Sequence, residues 1–263
     1  MMPEILDLLD KLGPDLAELL AGSFGVFIRV GAMMALVPAF GEQVIPVRVR
    51  LGLTLAFTAI TAPAIASDMP LATLAPGPLM QLVVTEATVG LILGIGLRLM
   101  IIALQTAGTI AAQATSLSQF FGGAGVDPQP AMSQILVVAG LALALIAGLH
   151  VKLAELILHS YSLFPPGHFP DGASLGAWGV AHVARSFTLA FSLAMPFVVL
   201  SLLYYVALGA INKAMPQLMV AFVGAPAITF AGLAVLLLTA PIILPLWHAA
   251  LDGFLTDPTG LPR

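Results

Sequence analysis

The sequence predicts an all-α, membrane-associated bundle of about six long, Pro/Gly-kinked apolar helices arranged as hairpins. Three observations predict it. Apolar residues make up 60% of the 263-residue chain and charged residues only 8%, against roughly 25% charged in soluble domains. The mean hydropathy is +1.07, so a water-soluble fold would have almost no polar side chains with which to cover itself. The apolar residues also fall in runs of 20 or more, the length a helix needs to cross about 30 Å of hydrocarbon.

The runs can be read in order. The first spans about Leu16–Phe40 and the second about Val44–Ala66. The third, about Leu79–Gln113, and the fourth, about Met132–Ser160, are longer than a bilayer requires. The fifth covers about Val180–Ile211 and the sixth about Leu218–Leu251. Excess length implies tilt, kinks or projection beyond the lipid. Pro- and Gly-rich stretches separate the runs at Ala66–Pro78, Gln119–Pro130 and Leu163–Gly179. Pro38, Pro63, Pro196, Pro226, Pro241 and Pro245 lie in or near apolar runs. Each frees a backbone carbonyl that lipid cannot satisfy, so a neighbouring helix or water has to. No repeat of solenoid length is visible.

Several function classes are excluded by composition. With no cysteine there is no thiol nucleophile, disulfide framework or cysteine metal site. A net charge of −4 argues against nucleic-acid binding, which needs a basic stripe. Glu4, Asp7, Asp10, Asp15 and Glu18 face one Lys11 in the first 20 residues. That acidic start is the opposite of a signal peptide's basic region and reads as a short amphipathic helix. Arg48 and Arg50 in the first loop and Lys213 in the fifth place those loops in the cytoplasm by the positive-inside tendency, with both termini outside.

A charge within an apolar helix costs at least about 2.5 kcal/mol on insertion scales and therefore has a partner or a function. Arg29, Glu86, Arg98 and Arg185 are such charges, Arg185 near the start of its run. Glu86 and Arg98 lie roughly 18 Å apart along one helix, too far to pair, so their partners come from other helices or subunits. Structural pairing and a transport pathway are both open readings. Gly90 and Gly94 form a GxxxG pair, followed by Gly96 and by Ala103, Ala107 and Ala111. Small residues four apart let helices approach closely, within the chain or between subunits. His150, Lys152, Glu155 and His159 form a polar helix end. A metal site there would need a third ligand and a supporting shell. No Ser/His/Asp order, nucleophile elbow, P-loop or dinucleotide motif is present, so the expectation is no enzyme and no cofactor. In Gln119–Pro130, Phe120 and Phe121 supply apolar bulk, and Gly122, Gly123 and Gly125 supply backbone freedom. That loop is either a connector or a pore plug.

The polar break LGAINKAMPQLMVAFVGAP at Leu208–Pro226 is the most specific stretch. Asn212, Lys213, Pro216 and Gln217 form a hinge where Pro216 interrupts the helix and amide side chains serve the freed backbone. This stretch resembles the signature of the FliR family, the R-type subunit of the flagellar type III protein export gate. The resemblance continues elsewhere. Arg29 precedes Val37-Pro38 and the turn Ile45-Pro46-Val47-Arg48-Val49-Arg50-Leu51-Gly52-Leu53; Ala107-Gly108-Thr109-Ile110-Ala111-Ala112-Gln113 leads to Asp127-Pro128; Gly148-Leu149-His150 closes the fourth run. Ala114-Thr115-Ser116 departs from the family's Met-containing Q-M-G-type stretch.

The resemblance implies a single export-gate subunit, with 1–179 similar to a P-type subunit and 180–263 to a Q-type hairpin. It implies P-type and Q-type partners, the B-type switch subunit, and unfolded exported proteins as substrates. It also implies a place in the bacterial inner membrane at the flagellar basal body, and a plugging role for the Gln119–Pro130 loop. The alternatives are a virulence-type secretion homologue, or an autonomous secondary transporter using Glu86 as its proton or ion site.

Overall fold

A computed structural model describes residues 22–41, 45–65, 69, 76–115, 131–215 and 220–260, and these hold helices and their connections with no strand among them. The helices are α1 (Gly22–Met34), α2 (Val47–Ile65), α3 (Pro76–Thr115), α4 (Ala131–Ile146), α5 (Leu149–Leu163), α6 (Gly172–Ala214) and α7 (Val220–Thr256). The six predicted runs are all found, but the fourth is two helices. It breaks at Ala147–Gly148, where Gly148 takes φ +86°. Only glycine adopts that left-handed conformation without a Cβ penalty, so an apolar run that reads as continuous is interrupted there.

Length and composition make α3, α6 and α7 able to cross a membrane, with a fourth span if α4 and α5 count as one. At 1.5 Å per residue the 40-residue α3 is about 60 Å long and the 43-residue α6 about 65 Å. Both are twice the thickness of hydrocarbon. Pro63, Pro196, Pro226, Pro241 and Pro245 lie inside helices. Pro38 lies in the turn after α1.

The chain divides into two compact units. One comprises the residues up to Arg98 with Gly148–Gly179 and the residues from Gly253; the other comprises Leu99–Ala147 and Val180–Asp252. In the first unit, α1 turns its Val26, Val30, Met33 and Met34 inward, each 0% exposed. Arg50 Nη2 donates to the carbonyl of Gly41 at 3.3 Å, tying the start of α2 to the turn that follows α1. Thr54, Thr58 and Thr61 lie buried on α2 and donate their hydroxyls to the carbonyls of Arg50, Thr54 and Phe57, so burial leaves no hydroxyl orphaned. α2 packs on α5.

The second unit is organised around Trp247 of α7, fully buried, whose Nε1–H donates to the carbonyl of Met100 at 2.8 Å. The absent side chain of Gly140 makes room for that indole and for Leu104. Gly108 lies directly against the backbone of Ser133, and Ser133 Oγ donates to the carbonyl of Gln105 at 3.0 Å.

The start of α6 departs from the expected loop at Leu163–Gly179. Asp171 is its N-cap: Oδ2 accepts hydrogen bonds from the backbone N–H and the hydroxyl of Ser174, both at 2.8 Å. The helix consequently begins at Gly172, and Arg185 stands well inside it, half-buried, where the sequence suggested a helix end. The backbone N–H of Ser174, then its hydroxyl, holds the Asp171 carboxyl below the ordinary carboxylate range. A depressed folded pKa contributes its full stability above the unfolded value and loses it as pH falls through the folded one. The first turn of α6 should therefore hold its amide-exchange protection from neutral pH down to the ordinary Asp range and lose protection as pH falls through the lower folded value. Asp171→Ala should abolish that dependence; a variant with the same acid transition would show that the cap is not its source.

Candidate functional site

The charges that the sequence singles out on α1 and α3 meet each other. Arg29 and Glu86 are 1% and 0% exposed. Arg29 Nε donates to Glu86 Oε2 at 2.8 Å and Nη2 to Oε1 at 3.0 Å, a two-pronged pairing that a planar guanidinium makes and an ammonium does not. The remaining donors reach the end of α5. Nη1 donates to Ser160 Oγ at 3.0 Å, and Nη2 also donates to the carbonyl of Phe164 at 2.9 Å. Ser160 Oγ in turn donates to the carbonyl of Ile157 at 2.7 Å. The Tyr161 hydroxyl donates to Glu86 Oε2 at 3.2 Å, while the Arg29 guanidinium carbon stands 3.6 Å from the centre of the Tyr161 ring.

The helices place these groups for plain reasons. Arg29 lies one turn from Val26 and Met33 on the buried face of α1, so its long side chain has no route to water. Glu86 follows Thr85 and precedes Val89 on the buried face of α3. The backbones approach because Gly90 lies one turn after Glu86. A Cβ there would strike the carbonyl of Arg29 and stand 2.9 Å from Ala32 Cβ. Gly94 repeats the arrangement against Leu36 and Met33, each 3.0 Å from a built Cβ. The GxxxG pair is therefore used within the chain, as the seam of α1 on α3. Ala103, Ala107 and Ala111 are likewise buried.

This seam yields a comparison. Gly90→Ala must push α1 off α3 because a backbone carbonyl cannot step aside, and overpacking costs roughly 1–3 kcal/mol. Gly52 lies exposed on α2 with nothing near a built Cβ, so Gly52→Ala should gain roughly 0.5–1 kcal/mol by helix propensity. Thermal unfolding of the two variants in one detergent should move in opposite directions; a neutral Gly90→Ala would contradict the seam.

Chemically, the cluster is closed. Its two charges cancel, both Glu86 oxygens are engaged, and neither charged residue is exposed. An ion or proton site at Glu86 would need an approach and a vacant oxygen. The geometry instead makes a rigid joint that ties α1 and α3 to α5 and the turn after it.

The other predicted residues are placed as follows. Arg98 is half-buried on α3, away from this cluster. Asn212 and Lys213 are exposed in the last turn of α6, where a cation complements the helix dipole. Pro216 and Gln217 lie outside the described residues, as do Phe120, Phe121, Gly122, Gly123 and Gly125. His159 Nδ1 faces Ser162 Oγ at 3.3 Å on the exposed side of α5. Among the described residues no three His, Asp or Glu side chains converge on a metal position. Sequence reasoning missed Ser160, Tyr161 and the Phe164 carbonyl. No local pattern marks them, since they lie 131 and 135 positions from Arg29 for Ser160 and Phe164.

Comparison with known proteins adds an independent line. The family model described as bacterial export proteins, family 1, matches residues 20–254. A flagellar biosynthetic protein FliR of Caulobacter vibrioides is 34% identical over 224 residues, covering 84% of this chain and 89% of the relative. The Bacillus subtilis protein of the same name is 31% identical over 210 residues, with 76% and 79% covered. The Escherichia coli K12 protein is 28% identical over 229 residues, with 84% and 85% covered.

Proposed function

The chain belongs to the bacterial export proteins, family 1, and from that premise we propose that it is the R-type subunit of the flagellar type III export gate. In this reading it forms, with P-type and Q-type subunits, the channel that passes unfolded flagellar proteins across the bacterial inner membrane at the basal body, and meets the B-type switch subunit there. It carries out no reaction. Its work is structural and gating. The flagellar names of its relatives favour this assignment over a virulence-type system.

One observation carries the reading beyond family membership. The apolar stretch of α3 is 61% buried within the chain, but those of α6 and α7 are only 17% and 22% buried. Each of those two helices is about 55–65 Å long, far more than lipid alone would cover. Long apolar helices that outrun the bilayer are explained by neighbours of the same kind. The closed Arg29–Glu86 joint weighs against the secondary-transporter alternative, because it leaves Glu86 no free oxygen. The division into a P-like 1–179 and a Q-like 180–263 is part of the proposal. The loop Gln119–Pro130 is proposed as the plug.

The test is co-expression. Tagged chain made with its P-type and Q-type partners should purify as one stable complex, more stable than the chain purified alone. A chain that is monodisperse alone in mild detergent, and that captures neither partner, would overturn the assignment.

A further inference from the structure

A cavity of about 520 Å3 opens in the first unit, between α3, the end of α5, the start of α6 and the turn after α7. Its size falls within the range of ligand sites. The walls other than α3 are fastened by hydrogen bonds made outside the regular helical ladder. Behind Phe164, Arg29 Nη2 grips the Phe164 carbonyl at 2.9 Å. Across the cavity, Trp178 Nε1 donates to the carbonyl of Pro258 at 2.7 Å, joining α6 to the turn after α7. At the mouth, Asp171 holds Ser174 at 2.8 Å. The cavity is thus built in advance rather than left by loose packing.

Its chemistry is one-sided. The floor is apolar, with Ile92 and Leu93 of α3 and Leu175 of α6. The side-chain donors at the walls are spent: the Trp178 indole on Pro258, the Ser174 hydroxyl on Asp171 and the Thr259 hydroxyl on Asp257 at 3.0 Å. Among the described residues no lysine, arginine or histidine lines it. What remains at the rim is negative. Asp171 lines the mouth and is exposed, and exposed Asp257 immediately precedes the lining Pro258 and Thr259. A phospholipid head would set its phosphate against these two carboxylates, with no cationic side chain among the described lining residues to receive it.

We propose that this cavity docks a short apolar peptide segment carrying a lysine or arginine, its aliphatic groups against Leu93, Phe164 and Trp178 and its cationic end at Asp171. The long stem of either side chain buries in apolar surroundings while its charged head stays at the rim.

The experiment uses the full chain in a non-ionic detergent and a dansyl-labelled, amidated Leu-Leu-Lys-Leu-Leu peptide. Energy transfer from tryptophan to dansyl reports binding. Transfer should saturate with the wild type, fall sharply in Trp178→Phe, and not saturate when glutamate replaces the peptide's lysine. Ala177→Phe fills the cavity from an exposed position on α6 and should abolish saturation. Asp171→Asn keeps a good N-cap and should weaken the lysine peptide up to about fivefold, the size expected of one exposed ion pair. Equal saturable binding of the glutamate peptide, unchanged transfer in Ala177→Phe, or saturable transfer to dansyl-phosphatidylethanolamine would each overturn the proposal. The last result would identify a lipid site instead.

Discussion

Arg29→Ala is expected to destabilise the protein by about 3–5 kcal/mol, because it leaves a buried carboxylate without its cation. Glu86 is 0% exposed, and after the substitution only the Tyr161 hydroxyl at 3.2 Å remains on it among its present partners. The Ser160 hydroxyl and the Phe164 carbonyl lose their donors at the same time. A loss of that size is a large share of the roughly 5–15 kcal/mol by which proteins are stable. The chain should fail to accumulate in membranes, and cells depending on it should lose motility. Arg29→Met combined with Glu86→Leu tests the cause. Removing both charges and leaving apolar groups of similar volume should restore most of the thermal stability, since the pair itself contributes little net energy. Arg29→Lys should fall between, because an ammonium lacks the fork that holds Glu86, Ser160 and Phe164 together. If the single alanine variant melts with the wild type, or the double variant is no better than the single, the joint does not hold the unit together.

How far the sequence discloses this site follows from the range of the forces involved. The apolar runs are legible because lipid imposes a length and an apolar surface on any spanning helix. Arg29 and Glu86 are legible as charges that such a run cannot hold alone. Their pairing is not, because 57 positions separate them and nothing local specifies the meeting of α1 with α3. The Gly90 and Gly94 seam was visible as spacing, yet the same spacing serves a subunit interface equally well. Tyr161 and Ser160 carried no signal, since a tyrosine and a serine near a helix end are ordinary. Asp171 is a preferred N-cap residue type that sets the start of α6 at Gly172 and leaves Arg185 well inside the helix. The apolar run on both sides of Gly148 conceals that the helix breaks there, at φ +86°. The prolines of α7 stayed inside one helix, because proline kinks a membrane helix without having to end it.

Trp247→Ala should be the most damaging single change in the second unit. The indole is 0% exposed and lies against Gly140, whose missing side chain leaves the room it occupies. Truncating a buried tryptophan costs about 3–5 kcal/mol, in lost transfer energy and in the void left behind. Trp247→Phe separates packing from hydrogen bonding. It retains most of the apolar bulk but gives up the 2.8 Å bond to the Met100 carbonyl, and should cost about 1 kcal/mol for that bond plus a smaller cavity term. Gly140→Ala approaches the same contact from the other side. A built Cβ stands 2.6 Å from Leu104 Cδ2, the far end of a flexible side chain, and 3.2 Å from the Trp247 ring. Its cost should be the smallest of the three. Thermal unfolding of the isolated chain and of the assembled complex should rank them alanine, phenylalanine, then Gly140→Ala. The ranking also tests what holds this unit. If Trp247→Ala melts the isolated chain but the complex tolerates it, partner helices on the exposed faces of α6 and α7 supply stability that the chain's own core does not. If both fall together, the core around Trp247 is the foundation on which any partner must build.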